Sequence, residues 1–286
     1  MIQNFLKYLQ YTKWSSINTI IRYRAWLKKF EWYLCELWKS LEKPADIKLY
    51  DIYSFVAEMW SAGLQPATCN TVINAIRAFL RYCTILEFNV VDDSKIHQCK
   101  IPDKSIWFFN KEEKKLIIRE VNKWIWRNSI DKLRNKLLTY MFLQTWLRCH
   151  ELVKIRICEI WENLQIVGKW WRRRTVYLRK ELLDMIGEYL SKRKRKSEFL
   201  FDSIKEWKHL REWAVRKLYM KLSKILWFHI HAHKFRHTFA TDLLHIPWSN
   251  IYDVSQLLGH RRITTTQIYL WTDNIELKNL QFWLEF

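Results

Sequence analysis

The sequence predicts a mainly α-helical protein in two parts: an N-terminal helical bundle, and a C-terminal mixed domain that is mostly helical with a small antiparallel β-sheet. Three observations support this prediction. Apolar residues recur at helical spacing through most of the 286 residues. A polar stretch without that spacing, 91–105, separates a domain over 1–90 from one over 106–286. A single pair of short β-prone runs lies in the second domain.

The N-terminal domain is predicted to contain three main helices. The first follows the capping residue Ser16, and apolar residues one helical turn apart continue as far as Leu34. The second covers Tyr50 to Met59. The third runs from Pro66 to Leu86, and proline suits the first turn of a helix. Because the apolar positions share one face of each helix, we expect a bundle with lysine and arginine outside.

The C-terminal domain is predicted to begin with helices. Asn110, followed by two glutamates, is a cap for one helix, and Asp131 to Thr145 form a second, apolar one. The β-prone runs are Leu164 to Val167 and Thr175 to Leu178, and the segment between them is basic. This pattern predicts a β-hairpin with a basic tip. Helical spacing then resumes at Glu181 and continues to the end.

The charge favours a polyanionic partner. Lysine and arginine number 49 against 29 aspartate and glutamate, which gives a net charge of +20. Nucleic acid is the first candidate, because each neutralised phosphate releases counterions, and an anionic membrane surface is the second. No apolar run approaches the roughly 20 residues of a membrane helix, and no secretory leader is visible. We therefore expect a cytoplasmic protein.

No metal or cofactor is predicted. The six cysteines are scattered, without a C-x-x-C pair, so they are interpreted as reduced thiols rather than as disulfides or zinc ligands. His229, His231 and His233 alternate along the chain, but no carboxylate or cysteine adjoins them. A zinc site normally needs a fuller set of ligands than this.

Tryptophan and glycine are present in inverted proportions. The chain has 18 tryptophans and only 4 glycines, whereas glycine normally makes up about 7% of a protein. If most of these tryptophans were glycine, the glycine frequency would be ordinary. This suggests the hypothesis that a UGA codon meaning glycine has been rendered as tryptophan.

Three sequence blocks near the C-terminus carry residues whose side chains could take part in catalysis. They are H-x-x-R-H-T-x-A-T starting at His233, L-L-G-H ending at His260, and T-T-x-x-Y ending at Tyr269. His233 and Arg236 share a helix face, so both can reach one small anionic group. Gly259 is predicted to end a helix with a positive φ, which leaves His260 at that end. Each block alone also fits a structural role, and only their combination indicates a site.

The sequence resembles the tyrosine recombinase (phage integrase) family, close to its Xer-like members. The three blocks follow the family pattern in order and spacing. Upstream, Thr145 to Leu152 resembles T-G-L-R-x-x-E-L, and Val167 to Trp170 resembles V-G-K-G. The likeness spans nearly the whole chain. It implies that 1–90 is a core-binding domain that clamps DNA, that 91–105 is a linker, and that 106–286 is the catalytic domain.

The resemblance implies a site-specific DNA recombinase that cleaves and rejoins strands through a 3′-phosphotyrosyl intermediate, with no metal or cofactor. The implied catalytic residues are Arg148, Lys169, His233, Arg236, His260 and Tyr269. Tyr269 would attack the phosphorus. Arg148 and Arg236 would stabilise the charge that develops on the phosphate oxygens. Lys169 would be the general acid for the departing 5′-oxygen.

The remaining residues have supporting roles in this scheme. His233 would be a general base or an orienting donor, and His260 a further phosphate donor. Glu151 is expected to hold its surroundings in place rather than to take part in the chemistry. The arginines at 172–174 are expected to contact the DNA backbone near the cut.

The implied partner is double-stranded DNA, bound by a homotetramer or heterotetramer on two sites, with no membrane involved. The C-terminal tail, 274–286, would dock on a neighbouring protomer. Two alternatives are left open: a type IB topoisomerase-like enzyme, which shares the chemistry, and a catalytically inactive DNA-binding regulator, which keeps the fold. The target site and the choice between chromosome segregation, integration, excision and inversion are left open by the sequence.

Departures from the family pattern concentrate at glycine positions. Tryptophan stands where the family has glycine at Trp146, Trp170, Trp171, Trp227 and Trp248. Glycine suits tight turns because it lacks a Cβ. The recoded-codon hypothesis accounts for this set, and the competing interpretation is that the indoles stack on bases or fill the core.

Overall fold

The computed structural model describes residues 1–101, 107–123, 129–167, 173–193, 197–203, 209–246, 248–259 and 263–267. The chain divides into two units, 1–104 and 105–286. Each unit has its own cluster of buried apolar side chains. In the described ranges, no helix combines the length and the apolar character that crossing a membrane would require.

Over residues 1–101, the described part of the first unit, the α-helices are α1 (Ile2–Tyr11), α2 (Ile17–Glu36), α3 (Leu49–Ser61) and α4 (Pro66–Ile85). The predicted cap is confirmed, since Ser16 Oγ accepts a hydrogen bond from the Thr19 amide at 3.3 Å. The core between the helices is rich in aromatic rings; those of Phe5 and Phe79, for example, meet edge to face with centroids 5.6 Å apart. The predicted helical bundle is therefore present.

The segment after α4 is bound to the first unit. Asn70, on α4, holds the backbone of Cys99 through two hydrogen bonds: its Nδ2 donates to the carbonyl at 2.9 Å and its Oδ1 accepts from the amide at 2.7 Å. Tyr53 Oη, on α3, donates to the Lys95 carbonyl and accepts from the His97 amide. The described part of the predicted linker thus lies along the helices of the bundle.

The second unit is mostly helical. Its elements are α5 (Lys111–Lys123), α6 (Ser129–Gln144), α7 (Cys149–Leu152), β1 (Asn163–Val167), β2 (Arg173–Tyr177), α8 (Lys180–Lys192), α9 (Glu212–Leu226), α10 (Ala232–Leu244), α11 (Ile251–Leu258) and α12 (Thr264–Gln267). The strands β1 and β2 pair antiparallel, with Asn163 opposite Tyr177 and Val167 opposite Arg173. The predicted fold class is confirmed.

The cap predicted at Asn110 is confirmed as a reciprocal pair. Asn110 Oδ1 accepts from the Glu113 amide at 2.7 Å, and Glu113 Oε2 accepts from the Asn110 amide at 3.1 Å. These bonds satisfy amides that the first turn of α5 would otherwise leave without partners. A polar side chain followed three residues later by glutamate was therefore a sufficient sequence signal for this helix start.

Candidate active site

Arg236 lies inside the second unit and is only 2% exposed. It sits on α10, and its guanidinium reaches two other segments. Nη1 donates to the Trp146 carbonyl at 2.5 Å, and Nη2 makes a short hydrogen bond to the Leu258 carbonyl. Trp146 closely precedes Arg148, and Leu258 is the last residue of α11. Arg236 therefore connects α10 to both segments while carrying a permanent positive charge.

The helix that carries Arg236 is fixed by aromatic packing. The ring of Phe235 lies 4.9 Å from that of Phe109, 5.0 Å from that of Tyr219 and 5.8 Å from that of Phe142, measured between centroids. Thr238 Oγ1 also accepts a hydrogen bond from the Phe109 amide at 2.8 Å. These contacts hold α10 in one position, so the side chains on it are preorganised.

Arg148 immediately precedes the short helix α7, and Glu151 holds it there. The Arg148 amide donates to Glu151 Oε2 at 2.7 Å, and Arg148 Nη1 donates to Glu151 Oε1 at 3.1 Å. The same carboxylate binds Arg174 on β2, whose Nη1 and Nη2 donate to it at 3.0 and 2.7 Å. One carboxylate thus joins two arginines that lie 26 positions apart in the sequence.

Glu151 is ionised at neutral pH despite its burial. Its side chain is 4% exposed, and burial alone would raise its pKa. The hydrogen bonds and charge of Arg174, followed by the amide and charge of Arg148, outweigh the burial and hold the pKa at about 2. The carboxylate therefore stays charged, and both guanidinium groups keep a partner of opposite sign.

His233 lies one turn before Arg236 on α10. Burial of the imidazole lowers the pKa of His233 below the usual 6.5, and the positive charges of Arg236 and Arg148 act in the same direction. Its ring meets that of His237 edge to face, with centroids 4.4 Å apart. His233 is consequently neutral at physiological pH and can accept a proton.

Arg148, His233 and Arg236 line a single cavity of about 820 Å³. Two guanidinium groups and a neutral imidazole around one cavity are a combination of side chains suited to binding a phosphate group. The structure therefore brings three of the six predicted catalytic residues together. The other three, Lys169, His260 and Tyr269, lie outside the described residues.

The described elements that adjoin Lys169 and His260 in the sequence agree with the predicted hairpin strands and helix end. The strands β1 and β2 flank 168–172, the segment that contains Lys169. Gly259 ends α11 with a φ of 64°, which confirms the left-handed cap predicted immediately before His260.

Glu151 and Arg174 differ in how well they were anticipated. The expected structural role of Glu151 agrees with its ion pairs. For Arg174 the sequence predicted only a contact with the DNA backbone; in the structure its guanidinium binds Glu151, and its side chain is 10% exposed. The sequence offered one weak signal, namely a glutamate three residues after Arg148 with a run of arginines further along the chain.

The alternating histidines also line the cavity. Burial lowers the pKa of His231 to about 4, and His229 and His233 contribute in the same direction. Within the described ranges, no group of three or more His, Cys, Asp or Glu side chains is placed to hold a metal ion.

Comparison with known families gives two matches that together span most of the chain. The Phage integrase family matches residues 108–274, and the Phage integrase N-terminal SAM-like domain matches residues 2–84. The first match covers more than half of the chain and includes the cavity residues Arg148, His233 and Arg236.

Curated relatives match nearly the full length of the chain. Tyrosine recombinase XerA of Pyrococcus furiosus is 28% identical over 284 residues, covering 94% of this chain and 88% of the relative. Tyrosine recombinase XerC of Listeria welshimeri is 26% identical over 300 residues, covering 97% of this chain and 94% of the relative.

Solved structures share the fold. The XerH site-specific recombinase bound to palindromic difH substrate, in a post-cleavage complex, matches with a TM-score of 0.78 and 22% identity, over 98% of this chain and 84% of that chain. A lambda integrase dimer bound to a COC′ core site matches with a TM-score of 0.73 and 16% identity, over 96% and 76%.

Proposed function

Since the chain belongs to the phage integrase family and is a site-specific tyrosine recombinase, we propose that it cuts and rejoins DNA through a 3′-phosphotyrosyl intermediate on Tyr269. One observation carries this proposal: Arg148, His233 and Arg236 line one cavity, although they come from two distant parts of the sequence. The family blocks that hold His260 and Tyr269 follow directly in the chain.

The proposed reaction exchanges one phosphodiester for another. A bond forms between the Tyr269 oxygen and the phosphorus, and the bond between the phosphorus and the 5′-oxygen breaks. The phenolic proton passes to His233, and Lys169 gives a proton to the departing 5′-oxygen. Arg148 and Arg236 stabilise the charge on the phosphate oxygens. Because the new linkage retains the phosphodiester energy, a 5′-hydroxyl of another strand can reverse the step.

The two parts of the chain have separate tasks in this proposal. The domain over 1–90 clamps DNA, 91–105 links it to the remainder, and 106–286 carries the chemistry. The charge of +20 favours phosphate contacts throughout. Four protomers, identical or of two kinds, assemble on two DNA sites, because strand exchange needs two cut duplexes at once.

The pH dependence of cleavage should report on His233. We expect the single-turnover rate at saturating DNA to stay level as the pH falls to 6.5, the ordinary pKa of histidine, and to decline only below it, since the pKa of His233 is lowered. His233→Gln should remove this acidic decline along with most of the rate. His245→Gln, at the other end of α10, should leave the profile unchanged. A decline that begins above 6.5 would contradict the proposed role.

A strand-joining assay separates the proposed function from its alternatives. DNA trapped on the protein is first sequenced to identify its site. Two labelled duplexes carrying that site are then incubated with the protein, alongside a supercoiled plasmid. A recombinase joins strands from the two duplexes. A type IB topoisomerase relaxes the plasmid without joining them, and an inactive regulator binds the site and does neither. Either of these two results would refute the proposal.

A further inference from the structure

Three tryptophans occupy a backbone conformation that suits glycine. Among the described residues, the non-glycine positions with positive φ are Trp14 (49°), Trp38 (56°), Trp227 (60°) and Glu87 (62°). In this region the Cβ of an L-residue approaches the following carbonyl, so glycine is favoured and asparagine or aspartate is tolerated. Tryptophan has no side-chain hydrogen bond that would compensate for the strain.

Two neighbouring helices end with the same motif, one at tryptophan and one at glycine. After α2, the Trp38 amide donates to the Cys35 carbonyl at 3.1 Å and the Lys39 amide to the Leu34 carbonyl at 2.9 Å. After α3, Gly63 and the residue that follows it make the equivalent pair at 2.8 and 3.1 Å, with a φ of 87° at Gly63. This is the Schellman motif, whose left-handed position is usually glycine.

The end of α9 gives an independent second case. Trp227 is its C-cap residue and is left-handed, with a φ of 60° and a ψ of 18°. The corresponding C-cap residue of α11 is Gly259, with a φ of 64° and a ψ of 42°. Here too, one helix ends with tryptophan in the conformation in which another ends with glycine.

The indoles at these positions gain no compensating burial. Trp14 is 83% exposed, Trp38 97% and Trp227 93%. Near-complete exposure excludes core filling as the reason for a large aromatic ring at these positions, and no contact within the protein offsets the backbone strain. Trp146 adds a related observation: its ring is buried against Phe239, and its Nε1 is buried with no hydrogen-bond partner among the described residues.

We propose that the natural protein carries glycine at positions 14, 38 and 227, because the cell that makes it translates the codon UGA as glycine. The inference accounts for the left-handed backbone at these three positions, their exposed indoles and the inverted counts of 18 tryptophans and 4 glycines.

Peptide mapping of the protein isolated from its own organism tests the proposal directly. Each peptide that spans position 14, 38 or 227 should lack the mass of one indole side chain relative to the printed sequence. Fragmentation should then place glycine at that position. Tryptophan at any of the three positions in the native protein would overturn the proposal.

Recombinant variants test the physical argument separately. Trp38→Gly should raise the midpoint of thermal unfolding by about 2–4 °C, because it removes one strained residue. The matched control is Trp32→Gly, inside the helix that Trp38 follows. Trp32 is also exposed, at 66%, but lies inside α2, where glycine weakens the helix, so the midpoint should fall. A lower midpoint for Trp38→Gly would contradict the strain argument.

A second inference rests on the proposed function and concerns Arg174. Its guanidinium makes a bidentate contact with Glu151, the carboxylate that also accepts hydrogen bonds from the amide and side chain of Arg148. Such a planar contact fixes direction as well as distance. Arg174 therefore determines where Glu151 can place Arg148.

Arg174 also lies next to two other parts of the catalytic sequence. A Cβ built on Gly259, the residue before His260, would stand only 3.4 Å from Arg174 Cδ. Arg174 is the second residue of β2, five positions after Lys169. A single, largely buried side chain thus binds the carboxylate that holds Arg148 and occupies the space beside Gly259, and it belongs to the strand that follows the Lys169 segment.

We infer that Arg174 is a positioning residue for DNA cleavage, which acts through Glu151 on Arg148. It does not need to touch the DNA to do so. If instead it were mainly a phosphate contact, its loss would weaken DNA binding and leave the rate of the bound complex unchanged.

The test uses Arg174→Lys, which keeps the positive charge but cannot make the bidentate contact with Glu151. At saturating selected-site DNA, the rate of adduct formation should fall about 100-fold while Kd changes less than about 3-fold. Arg173→Ala, at the exposed neighbouring position, should show the opposite split, with weaker binding and an unchanged rate. A weakened Kd with a normal rate for Arg174→Lys would overturn the inference. If the wild type formed no adduct, the proposed function itself would fail.

Discussion

Arg236→Ala should reduce the rate of covalent adduct formation by at least about 1000-fold, because it removes a charge from the phosphate site. The same change should lower the free energy of unfolding by about 2–4 kcal/mol, because it opens a cavity and leaves the carbonyls of Trp146 and Leu258 without their donor. Single-turnover cleavage of a nicked substrate and urea unfolding measure the two effects.

Two variants make the result for Arg236 interpretable. Arg236→Lys keeps the positive charge, so it should fold and bind DNA while its cleavage rate remains well below that of the wild type. Arg119→Ala, an exposed arginine on α5, should change neither cleavage nor stability. A folded Arg236→Ala that cleaves at the wild-type rate would show that this guanidinium does not act on the phosphate.

Glu151→Ala should destabilise the protein by about 3–5 kcal/mol, because it leaves Arg148 and Arg174 near one another without their shared carboxylate. Acid should produce part of this loss in the wild type. The Glu151 pKa falls from 4.5 to about 2 on folding. Its contribution is therefore present above pH 4.5 and lost as the pH falls towards 2.

The chain contains a matched control for Glu151. Glu159 accepts a hydrogen bond from the Arg156 amide at 3.1 Å, in the same relation of glutamate to the arginine three residues before it. It lies on the surface, so Glu159→Ala should cost less than about 1 kcal/mol. Equal losses for the two variants in urea unfolding would contradict the argument that burial makes Glu151 important.

The local features of this fold could be predicted from the sequence, whereas the long-range contacts could not. Ser16 and Asn110 identified helix starts because a cap is a signal within four residues. The i, i+3 spacing of His233 and Arg236 placed both on one face of a helix, and the structure has them on α10. By contrast, Asn70 holds the backbone 29 residues away, and Arg174 binds a carboxylate 23 residues away. No local pattern specifies such pairings.

The candidate site shows the same division. Arg148 and Arg236 were identified through their resemblance to the family blocks, and the structure places both at one cavity. The groups that hold these two arginines in place were missed or only partly predicted. No sequence pattern shows which backbone carbonyls bind Arg236. The left-handed conformation of Trp38 was equally invisible, since a tryptophan gives no reason to expect a positive φ.

The position of the covalent bond to DNA tests the central claim most directly. The protein is incubated with a nicked suicide duplex carrying its selected site, the adduct is digested with protease, and the nucleotide-bearing peptide is fragmented. Our account predicts a 3′-phosphate ester on Tyr269 and no adduct with Tyr269→Phe. An ester on any other residue, or an adduct that persists in Tyr269→Phe, would contradict it.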